Sequence, residues 1–278
     1  MLPASTWVRI LVTVLVLSLA LIAALWVFQR RLIYFPDSSP VPPASIVLPG
    51  AEDVQLTTTD GLELGAWYVP PMNADRDATV LIANGNAGNR SDRASLAGEL
   101  AAEGFAVLLF DYRGYGGNPG HPTSAGLGRD AEAAYRFLVE RKQVPPDRML
   151  YFGESLGTAV VSELALAHPP AGLLLRSPLT DLESLARGIF FGLPIGFLLF
   201  DRFAVAEAVS QIDVPTTVVY GGADEVVPPA HSIAVAEAAN GPVEIVRIDG
   251  AGHNDAVMFG REVVDAVKSL ADRTVGRP

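Results

Sequence analysis

Residues 149–160 read MLYFGESLGTAV. Met149–Phe152 is an apolar and aromatic run, the signature of a strand buried on both faces. Gly153 follows, then Glu154, Ser155, Leu156 and Gly157. The stretch Leu156–Ala167 reads as a helix, ended by His168-Pro169-Pro170. A strand, a G-x-S-x-G turn and a helix in that order form a nucleophile elbow. The serine takes a strained backbone conformation there, and its small neighbours let strand and helix approach. The motif alone is weak, since roughly one chain of this length in ten carries it by chance. Its position between strand and helix gives it weight.

The pattern on either side alternates in the same way. Thr79–Ala83, Phe105–Phe110, Ala171–Leu175, Thr216–Tyr220 and Val243–Ile248 read as further strands. Ser91–Glu103, Ala125–Lys142, Pro229–Ala239 and Ala256–Ala271 read as helices, from apolar residues recurring at helical spacing. Val54–Thr57 and Glu63–Val69 flank Asp60-Gly61, a hairpin signal. Strands alternating with helices predict a mostly parallel central sheet with helices on both faces, an α/β fold. Asp181–Ser210 breaks the alternation. It is too long and apolar for a simple crossover, and reads as buried core, a small cap or a substrate- or membrane-facing patch.

The chain has 278 residues, no cysteine and a formal net charge of −11. Without cysteine there is no disulfide, thiolate metal site or cysteine nucleophile. Without a basic stripe to neutralise phosphates, a nucleic-acid partner is not expected.

From Ile10 to Phe28 the chain reads ILVTVLVLSLALIAALWVF, with no charge. About 19 residues at 1.5 Å each nearly span a hydrocarbon core. Trp7 and Trp26 stand near its ends, and Gln29-Arg30-Arg31 stops it. Ser18-Leu19-Ala20 fits a signal-peptidase pattern, but the apolar run continues about eight residues beyond it. The reading is a retained single-pass anchor, residues 1–33, whose partner is the lipid bilayer through residues 10–28. A proline-rich linker, 34–53, leads to a catalytic domain, 54–278, with 181–210 as a candidate cap.

Ligands of parallel sheets bind at the carboxyl ends of the strands. Ser155 stands there and needs a base. Of the four histidines, His121 lies in a Pro/Gly loop, His168 at a helix C-terminus and His231 in a helical first turn. His253, in D-G-A-G-H-N-D (249–255), follows the last strand and comes after the serine in chain order, as an elbow triad requires. Asp224, in G-G-A-D-E-V-V-P (221–228), follows the strand between them and is the orienting carboxylate, with Glu225 as its rival. The oxyanion donors expected are the backbone N–H of Leu156 and that of Asn86, with Ala87 as substitute, in the loop N-G-N-A-G-N (84–89). The triad chemistry calls for no metal and no cofactor.

These blocks, together with D-Y-R-G-Y-G (111–116) and R-S-P-L-T-D-L (176–182), resemble the α/β-hydrolase fold, and more narrowly the membrane-anchored α/β-hydrolase-domain (ABHD) proteins. The likeness covers about residues 30–270. It implies a serine hydrolase acting on carboxylic esters or thioesters of small-molecule, lipid-like or acylated substrates, with the triad Ser155, Asp224 and His253. There are two departures. The family loop usually begins His-Gly where Asn84-Gly85 stands. The family often has serine where Asn118 stands, which bears on substrate choice. Arg113 reads as structural. A peptidase on the same triad, a silent membrane-tethered binding module, and an interaction protein using the apolar 189–200 segment are the competing readings.

Overall fold

The computed structural model describes residues 3–190 and 195–275. Helix α1 (Ala4–Ile33) is followed by an eight-stranded sheet built from β1 (Glu52–Thr57), β2 (Glu63–Val69), β3 (Thr79–Ala83), β4 (Ala106–Phe110), β5 (Met149–Glu154), β6 (Gly172–Arg176), β7 (Thr216–Gly221) and β8 (Val243–Ile248). Their spatial order is β1-β2-β4-β3-β5-β6-β7-β8. The β1–β2 hairpin is antiparallel and β2 runs antiparallel to β4; all other pairs are parallel. The order turns back at β3, which lies between β4 and β5. A crevice opens at such a switch point, beyond the strand ends.

Period-two alternation feeds two cores. On one face Leu81, Leu108, Tyr151 and Leu173 pack with α3 (Ser124–Arg136) and α4 (Leu156–Ala167). On the other, Val80, Val107, Leu150 and Leu174 pack with α2 (Ala94–Ala102) and α7 (Arg261–Thr274), while α6 (Pro229–Ala238) packs beside β7. The middle strands β3 to β7 are buried throughout, which is why their sequences are unbroken apolar runs.

Three helices differ from the sequence reading. Residues 90–93 form a separate 3₁₀ turn capped by Asn89, whose side chain accepts from Ser91 N while Asp92 accepts from Asn89 N. The helix beginning at Ser124 loosens into a π-turn over Phe137–Arg141. Gly260 separates a 3₁₀ turn, Ala256–Phe259, from α7.

The segment after β6 forms α5 (Leu182–Ile189), capped by Asp181 accepting from Ser184 N at 2.7 Å, then short helical turns at Ile195–Leu198 and Val205–Val209. It projects over the carboxyl edge of the sheet. Residues 191–194 of the apolar stretch lie outside the described residues.

Helix α1 is long and apolar enough to cross a membrane; at 30 residues it extends about 45 Å. Most of it is exposed, and its last turns dock on the domain. Beyond it, Phe35–Pro36 pairs in parallel with Ala87–Gly88. Residues 34–53 therefore lie along the domain, with Ala44 fully buried.

Candidate active site

Ser155 closes β5 and begins α4 with φ of 51° and ψ of −117°. A non-glycine residue there is strained, at a cost of about 1–3 kcal/mol. The flanking glycines make the turn possible. A Cβ on Gly153 would lie 2.6 Å from Thr158 Cα, and one on Gly157 would lie 2.2 Å from the Ala83 carbonyl oxygen. Ser155 N donates to Arg176 O at 2.8 Å, and Thr158 Oγ1 donates to Ser155 O at 2.5 Å, which pins the turn at both ends.

Asp224 and His253 come together. His253 Nδ1 stands 2.7 Å from Asp224 Oδ2, in a buried contact across the ends of the adjacent strands β7 and β8. The other Asp224 oxygen accepts from Val226 N and Val227 N at 3.0 and 2.8 Å. Burial pushes this carboxyl up, but the His253 hydrogen bond and the backbone donors outweigh it and hold it below its usual range. The neighbouring Glu225 is exposed. Ser155 and His253 are not hydrogen-bonded to each other among the described residues. In unliganded triads this contact is often long and tightens around substrate.

The loop after β3 carries Asn86. Its carbonyl oxygen accepts from Phe35 N and from Tyr115 Oη, both at 2.8 Å, and its side chain donates to Ile33 O at 2.7 Å. The Leu156 N–H is the first of α4 and has no intrahelical acceptor. Asn84, at the position of the family's usual histidine, is buried and donates to Phe110 O at 3.1 Å, while its carbonyl oxygen accepts from Tyr112 Oη at 2.8 Å. It ties the loop to β4.

Asn118 is bonded into the fold. Its side chain accepts from Gly65 N at 2.8 Å and donates to Asp111 O at 2.9 Å, joining its loop to β2. Arg113 is structural: it bridges buried Asp130 and Asp60 of the hairpin turn. His168 meets Glu132 and stacks on Tyr135, while His231 Nδ1 contacts Thr180 Oγ1 at 2.8 Å.

Sequence reasoning missed the ionic group beneath Ser155. Glu154, one residue before Ser155, is buried against Arg93, and Arg176 Nη2 lies 2.9 Å from it. Burial pushes the Glu154 carboxyl up, but Arg176 and Arg93 overcome this and bring it to about 2. Arg176 also donates from Nη1 to His253 O at 2.9 Å. It therefore touches both loops of the candidate site, through its carbonyl at Ser155 and its guanidinium at His253. The available signal was a charge at the end of each of two strands that are otherwise wholly apolar.

A cavity of about 310 Å³ opens over Ser155. Asn86, Gln29 and Ser155 supply its polar lining; the rest is apolar, from α5, the turn Ile195–Leu198, the end of α1 and the loops that carry Leu179 and Val226-Val227 among others.

Fold and elbow define the class as an α/β hydrolase. Residues 74–194 match the family model described as serine aminopeptidase S33. An uncharacterized protein of Mycobacterium tuberculosis is 46% identical over 254 residues, covering 91% of this chain and 90% of its own length. The α/β hydrolase domain-containing protein WAV2 of Arabidopsis thaliana is 30% identical over 267 residues, covering 87% and 86%. Among solved structures, the Pyrococcus furiosus esterase Pf2001 superposes with a TM-score of 0.71 at 23% identity, covering 88% of this chain and 98% of that one. The chain belongs to the α/β-hydrolase family.

Proposed function

We propose that the chain is a membrane-anchored serine hydrolase cleaving carboxylic ester or thioester bonds. The observation that carries this reading is the Asp224–His253 hydrogen bond at the sheet edge that also presents the strained Ser155 to an apolar cavity. Ser155 Oγ attacks the acyl carbonyl carbon, and His253 Nε2 takes its proton. Asp224 holds the ring in the tautomer that leaves Nε2 free and stabilises the imidazolium. The N–H groups of Leu156 and Asn86 receive the oxyanion, and the positive end of α4 adds to their field. His253 then returns the proton to the leaving alkoxide or thiolate. Water attacks the acyl-enzyme by the same steps and releases the acid.

The family model's description raises a peptidase as the second reading. An aminopeptidase needs an anionic group for the substrate's terminal amine. No carboxylate lines the cavity among the described residues, which favours an uncharged acyl substrate.

The test is fluorophosphonate labelling of wild type beside Ser155→Ala, followed by an ester chain-length series against aminoacyl amides. Labelling lost in the variant, with esters preferred, is expected. An unlabelled but folded wild type refutes the reading.

A further inference from the structure

The end of the apolar helix is also a wall of the active site. Leu25 and Trp26 lie inside the charge-free run 10–28, and both line the cavity that contains Ser155. A run of that length fills the hydrocarbon layer. A residue that is both in that layer and on the cavity wall requires the cavity to open at the bilayer.

The helix is fixed to the cap on that side. Gln29 Nε2 donates to Leu198 O at 2.9 Å, and its Oε1 accepts from Phe200 N at 2.8 Å. Arg30 Nε lies 2.8 Å from Asp201, which is buried and also accepts from Ser124 N at 2.9 Å. Trp26 meets the edge of Phe200 at 4.9 Å. The cap also exposes Phe197 at 94% and Ile189 at 68%. Apolar side chains so placed beside a membrane helix belong in the same lipid zone.

We infer that the gap between the end of α1 and the cap is an intake for the acyl chain of a bilayer lipid ester, which reaches Ser155 sideways from the membrane. This rests on the reading of α1 as a retained span and of Ser155 as nucleophile. The ester stays at the interface while its chain occupies the apolar cavity, so the chain need not cross water.

The full chain is reconstituted in phosphatidylcholine vesicles and given either a vesicle-resident long-chain fluorogenic ester or a water-soluble acetate ester of the same fluorophore. Leu25→Trp and Leu32→Trp narrow the intake, and the long-to-short rate ratio is expected to fall by about tenfold or more in each. Leu17→Trp, on the exposed span away from the cavity, is expected to keep the wild-type ratio. A wild-type ratio in both intake variants overturns the inference. Should those variants fail to fold, Ser155→Ala is cross-linked with a photoreactive long-chain ester in the same vesicles. Adducts on residues 25–33 support the intake, and adducts confined to other segments overturn it. Carbonate extraction keeps the premises apart. A wild type released to the supernatant defeats the anchor reading, and a membrane-retained wild type that hydrolyses neither ester and takes no fluorophosphonate defeats the hydrolase reading.

Discussion

His253 Nδ1 and Asp224 Oδ2 stand 2.7 Å apart, and Glu225, next along the chain, is exposed. Chain order left both carboxylates open, and geometry assigns the bond to one. Asp224→Asn is expected to lower kcat by about 10⁴-fold by offering His253 the wrong hydrogen-bonding partner. Glu225→Gln is expected to stay within about twofold of wild type. Steady-state ester hydrolysis by the purified proteins checks both.

Ser155 sits at φ of 51°, a strain that glycine relieves. Ser155→Gly is expected to gain about 1 kcal/mol of stability, raising Tm by about 2–4 °C. Ser155→Ala keeps the Cβ and the strain, and is expected to leave Tm within about 1 °C. Calorimetry on both variants separates backbone strain from loss of the hydroxyl.

Glu154 has a folded-state pKa of about 2, below its ordinary value of 4.5. Its contribution is fully present above about pH 4.5 and is lost as pH falls toward 2. Wild-type Tm should fall across that window more steeply than that of Glu154→Gln. At pH 7 the variant is expected to be about 3–5 kcal/mol less stable, because Arg176 is left buried beside a neutral amide. Tm measured from pH 2 to pH 7 decides this.

Asn118 spends its side chain on backbone groups of β2 and of its own loop. Asn118→Ala is expected to cost about 1–3 kcal/mol of stability and to leave the ester chain-length profile unchanged. A changed profile at undiminished stability would return this residue to substrate selection.

Much of the fold could be read before any coordinates, because its determinants are local. Thr79–Ala83 and Val243–Ile248 are strands at the expected bounds, and Asp60-Gly61 turns the hairpin. The positions of Ser155, Asp224 and His253 follow from the rule that such sheets are functional at their carboxyl ends. What stayed hidden depends on partners distant in sequence. Nothing around Glu154 announces Arg93, 61 residues earlier. Gln29 and Arg30 read as a polar stop to an apolar run, yet they bond to residues 198–201. The hold of Asn118 on β2 stayed hidden because Gly65 lies 53 residues away in the chain.

The short pairing of Phe35–Pro36 with Ala87–Gly88 has a practical consequence. Membrane proteins are commonly made soluble by deleting their apolar helix. Here the natural cut falls inside the support of the loop after β3. A chain shortened to begin at Asp37 loses Ile33 O, which holds the Asn86 side chain, and Phe35 N, which holds the Asn86 carbonyl. On the proposed mechanism, such a form keeps Ser155, His253 and Asp224 yet works slowly on every substrate, because the loop that carries the Asn86 N–H has lost its support. Its weak turnover would describe the deletion rather than the full chain.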